Sequence, residues 1–381
     1  MIGVVGGGQL AMLLVEAAKK RDVDVVVQTA AKTDPAAKKT KQVVLNDATN
    51  AEGTKLLADK SRSITFENEW VDIPSLLSLQ NNGVSFIPSL QSIRPLINKI
   101  SQRELLNRLE IPCPDWLPIP LEKSSEIDLP PDWTFPLMAK AAKGGYDGKG
   151  TRIIKNSKQL QELIEVEREE QWMLEKWVPF DKELSIVSSR DSKGIVRSLP
   201  IVETYQSRQV CDWVLAPADI KHDVDLMVKN IVSSLLVELD YVGVIAIEFF
   251  YGPEGLLVNE IAPRTHNSGH FSIDACTSSQ FDQQICITSG ISVPMPEMHV
   301  DGALMVNLLG LKSDYPISLS QRLDDLRAVP GLNLHWYEKE EESEGRKLGH
   351  VTYLLNNKDV LSRKKEALSV LKTIRSIWPT F

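Results

Sequence analysis

The sequence predicts a mixed α/β protein (mixed α+β) with more than one domain. Its 381 residues correspond to two or three domains at roughly 100–200 residues each. A strand, glycine turn, helix and strand follow one another in residues 2–28, which is a βαβ pattern. Strands flank a glycine loop in residues 135–154, and two apolar runs around a turn form a hairpin in residues 242–263. Parallel and antiparallel units therefore occur in one chain.

The first unit alternates strand-like and helix-like apolar runs. These runs occupy 2–5, 9–20, 23–28, 61–70 and 85–89. Strands that alternate with helices favour a parallel sheet, which we expect to end near Pro95.

The first turn has the pattern Gly6-x-Gly8-x-x-Ala11, which matches the relaxed dinucleotide fingerprint. Gln28 stands where that fingerprint needs an acidic residue to hold a ribose, which disfavours the dinucleotide. Two interpretations stay open. A phosphate or polar ligand binds at this turn beside Gln9, or the glycines only form a tight strand-to-helix turn.

A second unit begins with a helical run at 98–109 and a rigid proline-containing stretch at 111–116. The loop 143–150 lies between two strands and contains four glycines and two lysines. Its backbone N–H groups and cations suit a mobile flap over a polyphosphate, whereas an ordinary hairpin turn seldom needs eight residues.

The hairpin centred on Glu254 places Glu248 opposite Glu260 on one face. Opposed like charges destabilise a sheet by roughly 0.2–1 kcal/mol unless a cation lies between them. Mg²⁺ prefers such hard oxygen ligands together with substrate phosphates, so we expect a magnesium site here. The alternative is a solvent-facing pair, or a register slip that separates the two carboxylates.

Two further segments are rich in donors. In 263–270, Arg264 suits a transferring phosphoryl group, and the donors from 267 to 269 suit an oxyanion. Near the C-terminus, Lys339, Arg346 and Lys347 surround a glycine-flanked turn that suits a phosphomonoester. Each segment alone is also compatible with a polar surface loop.

Composition limits the class of protein. A formal charge of −8 argues against a general nucleic-acid binder, and no apolar run reaches the length of a membrane span. The four cysteines form no CxxC pair, which indicates free thiols in a reducing compartment. We therefore expect a cytoplasmic protein without a leader or membrane anchor.

Taken in order, the strings GGGQL, KGGYDGKG, EKWV, AIEFF, NEIAPRTHNSGH and HWYEKEEESEGRKLGH resemble the ATP-grasp superfamily. Within it they are most similar to the N5-carboxyaminoimidazole ribonucleotide synthetases of purine biosynthesis. The resemblance implies a Rossmann-like domain at 1–97, an ATP-grasp domain at 98–293 with a mobile subdomain at about 115–180, a small β-rich domain at 294–381, and a homodimer.

The resemblance also implies the binding sites. It assigns ATP to Lys99, Lys140, Gly145, Tyr146, Asp147, Gly148, Lys149, Gly150, Thr151, Glu175, Lys176, Trp177, Val178, Glu183, Gln206, Asn259 and Glu260. It assigns the acceptor, 5-aminoimidazole ribonucleotide, to Gln9, Leu10, Glu67, Lys339, Arg346 and Lys347, and Mg²⁺ to Glu248 and Glu260. Some relatives carry a histidine where this chain has Gln206, so the role of that residue is open.

The implied reaction begins when bicarbonate attacks the γ-phosphate of ATP and forms carboxyphosphate, which the amine of the ribonucleotide then captures. Its catalytic candidates are Arg264, Tyr146, Asp147, His266, Asn267 and His270. Three other functions remain possible at this stage: another ATP-grasp ligase, such as a formate-dependent glycinamide ribonucleotide transformylase or a biotin-carboxylase-like enzyme; a nicotinamide-binding oxidoreductase; and a nucleotide sensor without turnover.

Overall fold

The structure is a computed structural model that describes residues 1–120, 127–145, 150–167, 170–312 and 314–380. Its strands form three sheets, with helices packed against them, and this confirms the predicted mixed α/β class. No helix in these ranges is both long and apolar enough to cross a membrane.

The first sheet is parallel and has the strand order β3-β2-β1-β4-β5. Its strands are β1 (Ile2–Val5), β2 (Val25–Thr29), β3 (Val43–Leu45), β4 (Ser63–Phe66) and β5 (Ser85–Phe86). The helices of this part are α1 (Gln9–Lys20), α2 (Ala51–Ala58), α3 (Ile73–Asn81), α4 (Leu90–Ile93) and α5 (Lys99–Arg108). Val4 and Val5 belong to different hydrophobic clusters, because successive strand residues face opposite sides of the sheet. Both faces are therefore covered.

The second sheet has four strands in the order β6-β9-β7-β8 and is antiparallel. Its elements are β6 (Trp116–Pro118), β7 (Leu137–Ala141), β8 (Thr151–Ile154), α6 (Ser157–Val166) and β9 (Trp172–Lys176). Lys140 pairs with Thr151, so the glycine loop does connect two adjacent antiparallel strands, as predicted.

The third sheet has nine strands, with the order β15-β14-β10-β12-β13-β16-β18-β17 and β11 paired to β10. Its strands are β10 (Lys182–Arg190), β11 (Val196–Ser198), β12 (Val202–Ser207), β13 (Val210–Ala216), β14 (Gly243–Gly252), β15 (Gly255–Ala262), β16 (Gly302–Leu309), β17 (Leu332–Trp336) and β18 (Lys347–Leu355). The helices beside it are α7 (His222–Glu238), α8 (Ser272–Ala275), α9 (Gln280–Ser289), α10 (Leu319–Arg327) and α11 (Val360–Ile377). Because β16 pairs with β13, the sheet continues across the predicted boundary at 294.

Helix α9 joins the first sheet to the third. Ser279 and Asp282 form a capping box at its start, and Gly290 ends it with a φ of 70°. Phe281 and Ile285 pack into the core around α1, while Gln284 donates to the carbonyl of Ile87 and accepts from the amide of Val244. The helix thus holds the first sheet beside the β14–β15 hairpin.

Candidate active site

All three sheets border one cleft, whose volume is about 1220 Å³. The structure brings most of the predicted residues to its walls. These are Gln9, Leu10, Glu67, Lys99, Lys140, Gly145, Thr151, Glu175, Lys176, Trp177, Val178, Glu183, Gln206, Glu248, Asn259, Glu260, Arg264, His266, Asn267, His270, Lys339, Arg346 and Lys347. Gly150 is outside this lining, and Tyr146, Asp147, Gly148 and Lys149 lie outside the described residues.

The β14–β15 hairpin places two carboxylates side by side in the cleft. Glu248 pairs directly with Glu260, as the sequence predicts. The register then shifts, so that Asn259 is an extra residue between the pairs Glu248–Glu260 and Phe249–Val258. A bulge of this kind re-aims side chains, and it lets the consecutive Asn259 and Glu260 both face the cleft.

Burial and neighbouring charges shift the pKa values of these two carboxylates in opposite directions. Burial, and then the charge of Glu260, raise the pKa of Glu248 to about 7. Burial also acts on Glu260, but the charge and hydrogen bond of Lys99, at 2.8 Å, lower its pKa to about 2. Glu260 is therefore the charged member, and an added cation would stabilise the charged form of Glu248 as well.

The donor set fits Mg²⁺ that is shared with a polyphosphate. Within the described residues there is no cluster of three or more His, Cys, Asp or Glu side chains that could enclose a metal. Two carboxylates beside cationic side chains match the preference of Mg²⁺ for few protein oxygens plus phosphate oxygens.

A buried ion network supports the adjoining wall. The Glu175 carboxylate lies 2.6 Å from Lys140 on one oxygen and 2.6 Å from Arg103 on the other. Arg103 also donates to the carbonyl of Asn259 at 2.6 Å, and Lys140 donates to the Asn259 side chain at 3.0 Å. Burial alone would raise the pKa of Glu175, yet the two cations lower it. The Glu175 side chain thus positions Lys140, and only its backbone is available to a nucleotide base.

Aromatic and apolar side chains line the end of the cleft where the adenine is predicted. Phe180 stacks on Phe250 with ring centroids 4.8 Å apart, and the exposed Trp177 lines the same cleft. Glu183 lies opposite Phe250 on β10. Burial, and then the charge of Glu248, raise the pKa of Glu183 to about 8, while the backbone N–H of Gln206 opposes this shift. A largely neutral Glu183 can both donate to and accept from ribose hydroxyls.

The glycine turn after β1 binds a carboxylate of the protein itself. Glu67 accepts from the backbone N–H of Gly8 at 2.7 Å and of Leu10 at 3.1 Å. A Cβ at Gly6 would lie 2.5 Å from Glu67, and one at Gly8 would lie 2.4 Å from its carboxylate. These contacts disagree with the interpretation that a phosphate binds at this turn, because Glu67 already occupies the helix N-terminus.

Arg264 forms an ion pair that the sequence did not indicate. Its guanidinium contacts both carboxylate oxygens of Glu69 and donates to the carbonyl of Thr265 at 3.1 Å. Glu69 follows β4, and it lies at the carboxyl end of a parallel strand, where ligand sites of open sheets form. That position was the available signal for Glu69. Arg103 offered none, since its partner lies 72 residues away.

A cationic corner closes the cleft near the C-terminal part of the chain. Lys339, Arg346 and Lys347 line it together. The backbone beside Lys339 is fixed by Lys38, which donates to the carbonyl of Glu338 at 2.7 Å, and Glu338 has a positive φ of 54°. This corner can hold a phosphate ester.

Two histidines, His266 and His270, also line the cleft. His266 Nε2 lies 3.7 Å from Glu248, and its Nδ1 lies 2.9 Å from the Ser268 hydroxyl. His270 is buried, with its ring centroid 4.9 Å from that of His350. Burial, and then the positive charge of Lys347, lower the pKa of His270 well below its usual range. His270 is therefore neutral at physiological pH.

Known proteins are similar to this chain in sequence and in fold. Family comparison matches a ribonucleotide synthetase preATP-grasp domain at residues 1–96, an ATP-grasp domain at 104–281 and a phosphoribosylaminoimidazole carboxylase C-terminal domain at 303–364. The N5-carboxyaminoimidazole ribonucleotide synthase of Synechococcus elongatus is 41% identical over 378 residues, which cover 99% of this chain and 95% of that protein. The chain belongs to the N5-carboxyaminoimidazole ribonucleotide synthase family. It is therefore an ATP-grasp ligase, as the resemblance predicts.

Solved structures agree with this membership. The N5-carboxyaminoimidazole ribonucleotide synthetase of Thermotoga maritima is 34% identical, with a TM-score of 0.84 and 98% of each chain covered. The N5-carboxyaminoimidazole synthase of Aspergillus clavatus, solved with ADP and 5-aminoimidazole ribonucleotide, is 27% identical, with a TM-score of 0.86 and 98% of each chain covered.

Proposed function

We propose that this cleft catalyses the ATP-dependent carboxylation of 5-aminoimidazole ribonucleotide by bicarbonate, in purine biosynthesis. The products are N5-carboxyaminoimidazole ribonucleotide, ADP and phosphate. The observation that carries the proposal is that one cleft contains the Glu248–Glu260 pair, the lysines beside it and the cationic corner. A nucleoside triphosphate and a phosphorylated acceptor can therefore bind in this cleft at the same time.

ATP is assigned to the side of the cleft between the second and third sheets. The adenine would lie near Phe180, Phe250 and Trp177, with the ribose at Glu183. Lys140 and Lys99 would meet the phosphates, because both ammonium groups lie at the cleft wall beside Asn259 and Glu260. Glu248 and Glu260 would hold Mg²⁺, which when bound offsets the charge of the phosphate oxygens.

The acceptor is assigned to the opposite side of the cleft. Its 5′-phosphate would bind at Lys339, Arg346 and Lys347, since bidentate Arg and flexible Lys side chains suit phosphate. Its imidazole end would then lie near Gln9 and Leu10, where Glu67 is held by the glycine turn.

The chemistry takes place between the two ligands. A bicarbonate oxygen attacks the γ-phosphorus, the bond to ADP breaks, and carboxyphosphate forms; the acceptor amine then attacks its carbonyl carbon and phosphate leaves. Arg264, which Glu69 orients, is positioned to stabilise the developing oxyanion charge. The amine loses one proton in the second step, and His266 lies near the metal carboxylates as a candidate to accept it.

Three wider features are part of the proposal. Domain limits near 97 and 293 follow the family matches at 1–96, 104–281 and 303–364, although the third sheet crosses the second limit. A homodimer is proposed from the resemblance alone. A cytoplasmic location is consistent with the free thiols of Cys113, Cys211, Cys276 and Cys286.

ADP release by the purified protein tests this function. With Mg-ATP and bicarbonate, addition of 5-aminoimidazole ribonucleotide should stimulate release, whereas formate with glycinamide ribonucleotide should not. Stimulation by the formate pair instead would contradict the substrate assignment while leaving the ATP site intact.

Arg346→Ala tests the acceptor site within the same assay. We expect a higher KM for the ribonucleotide and an unchanged KM for ATP, because Arg346 belongs to the cationic corner assigned to the acceptor phosphate. Arg327→Ala is a matched control, since Arg327 is exposed and pairs only with Asp324 on its own helix in the described structure. Equal acceptor KM values in both variants would contradict the assignment.

A further inference from the structure

The first residue of α9, Gln280, is fully buried, and its side chain contacts two histidines. Its Oε1 accepts from the backbone N–H of His266 at 2.8 Å, and its Nε2 donates to the backbone carbonyl of His266 at 2.6 Å. The same Nε2 lies 3.1 Å from Nδ1 of His270. One amide therefore contacts the backbone of one cleft residue and the ring of another.

The orientation of this amide follows from the backbone of His266. A backbone N–H can only donate and a backbone carbonyl can only accept, so the oxygen and nitrogen of the Gln280 side chain cannot be exchanged. The NH₂ group must therefore point to His270, and Nδ1 of His270 must accept. A neutral imidazole carries one proton, which in His270 then resides on Nε2.

Packing holds the side chains of Gln280 and His270 in place. A Cβ at Gly269 would lie 2.7 Å from Cδ of Gln280, so only glycine leaves room for the amide there. The His270 ring is flanked by Phe281, at 5.5 Å between centroids, and by His350, at 4.9 Å. Among the residues that the structure describes, Nε2 of His270 has no hydrogen-bond partner, and His270 lines the cleft.

We propose that Gln280 is a positioning residue that fixes His270 as a neutral Nε2–H donor for an anionic oxygen of the substrates in the cleft. This inference rests on the proposed function. Arg264 and Lys347 line the same cleft, so an anionic oxygen is the ligand that the local charges favour. His270 then serves as a donor, and it cannot accept a proton at Nδ1 without losing the Gln280 contact.

The tautomer is measurable without substrate. In protein labelled with ¹⁵N-histidine, long-range ¹H–¹⁵N correlation spectra distinguish Nε2–H from Nδ1–H rings, and the His270→Gln variant identifies the His270 signals by their loss. We expect the Nε2–H pattern in the wild type. In Gln280→Glu, whose ionised carboxylate has the same shape but can only accept, we expect the proton to move to Nδ1 or the ring to become charged.

Gln283→Glu is the matched control. Gln283 lies on the same helix and is also buried, but its side chain contacts Ser278, Pro294 and Ser189 instead of the cleft histidines. This variant should keep the Nε2–H tautomer of His270. If Gln280→Glu does not fold, Gln280→Met replaces it; the amide donor is then lost, and a mixture of the two tautomers is expected.

Activity supplies the second readout. Loss of one preorganised donor costs about 10²–10³-fold in kcat in comparable sites, so His270→Asn and Gln280→Glu should each reduce kcat by about that factor. His270→Gln should be less impaired than His270→Asn, because its amide nitrogen reaches the position of Nε2. Gln283→Glu should keep the kcat of the wild type, since it leaves the donor in place.

The outcomes separate the two proposals. An Nδ1–H ring in the wild type, or an unchanged tautomer and kcat in Gln280→Glu, would overturn the role of Gln280. Failure of the ribonucleotide to stimulate ADP release by the wild type would overturn the proposed function instead, while the tautomer measurement would still stand.

Discussion

Replacing Arg103 by methionine removes one of the two cations that balance the buried carboxylate of Glu175. Both side chains are only 2% exposed, and Arg103 also donates to the carbonyl of Asn259. Removing one partner of a buried ion pair costs about 3–5 kcal/mol, because the remaining charge and the orphaned carbonyl stay away from water. The free energy of unfolding should fall by about that amount. The KM for ATP should rise, since Lys140 would then be the one cationic partner of Glu175 among the residues that the structure describes.

Urea unfolding followed by tryptophan fluorescence measures the first effect, and initial rates of ADP release measure the second. Arg108→Met is the matched control on the same helix. The Arg108 side chain is 61% exposed and pairs with the exposed Glu238, so its removal should cost about 0–1 kcal/mol. Equal losses of stability in the two variants would refute the argument that the Arg103–Glu175 pair supports the ATP wall.

Further predictions concern the other charged and histidine groups. Glu69→Gln should lower kcat by about ten- to a hundredfold without changing ATP affinity, because Arg264 loses its orienting partner; an unchanged kcat would count against that role. Glu248→Gln should raise the Mg²⁺ concentration needed for half-maximal ADP release, measured by titration after chelation with EDTA; equal titration curves would exclude Glu248 as a metal ligand. Burial lowers the pKa of His270 and His350 in the folded state, so the unfolded chain binds more protons as the pH falls below about 6.5. The free energy of unfolding should then decrease by up to about 1.4 kcal/mol per pH unit for each histidine, and the same slope in His350→Gln would contradict this explanation.

The sequence was sufficient where local chemistry decides the structure. The pairing of Glu248 with Glu260 and the position of the glycine loop between two strands were predicted and are confirmed. The turn itself pairs Gly252 with Gly255, however, which alone would place Asn259 opposite Glu248. The bulge at Asn259 was not predictable, because it depends on how β15 meets the cleft and not on the turn.

Long-range contacts account for what the sequence did not show. Arg103 meets Glu175 only after α5 packs beside β9, and hydrophobic periodicity carries no information about such an ion pair. The strands after 294 extend the third sheet because β16 pairs with β13. These two segments are about 90 residues apart in sequence, and turn signals cannot predict a pairing over that distance. The assignment of Glu67 to the acceptor stays a prediction, and its hydrogen bonds to the glycine turn became visible only in the fold.

The most direct test of the central claim follows the atoms of bicarbonate. The protein is supplied with Mg-ATP, 5-aminoimidazole ribonucleotide and bicarbonate labelled with ¹³C and ¹⁸O, and the products are observed by ¹³C and ³¹P NMR. Carboxylation through carboxyphosphate predicts a ¹³C carbamate on the ribonucleotide and one ¹⁸O atom in each phosphate released. Phosphate that contains only oxygen from ATP and water, with no labelled carbamate, would contradict the assigned reaction.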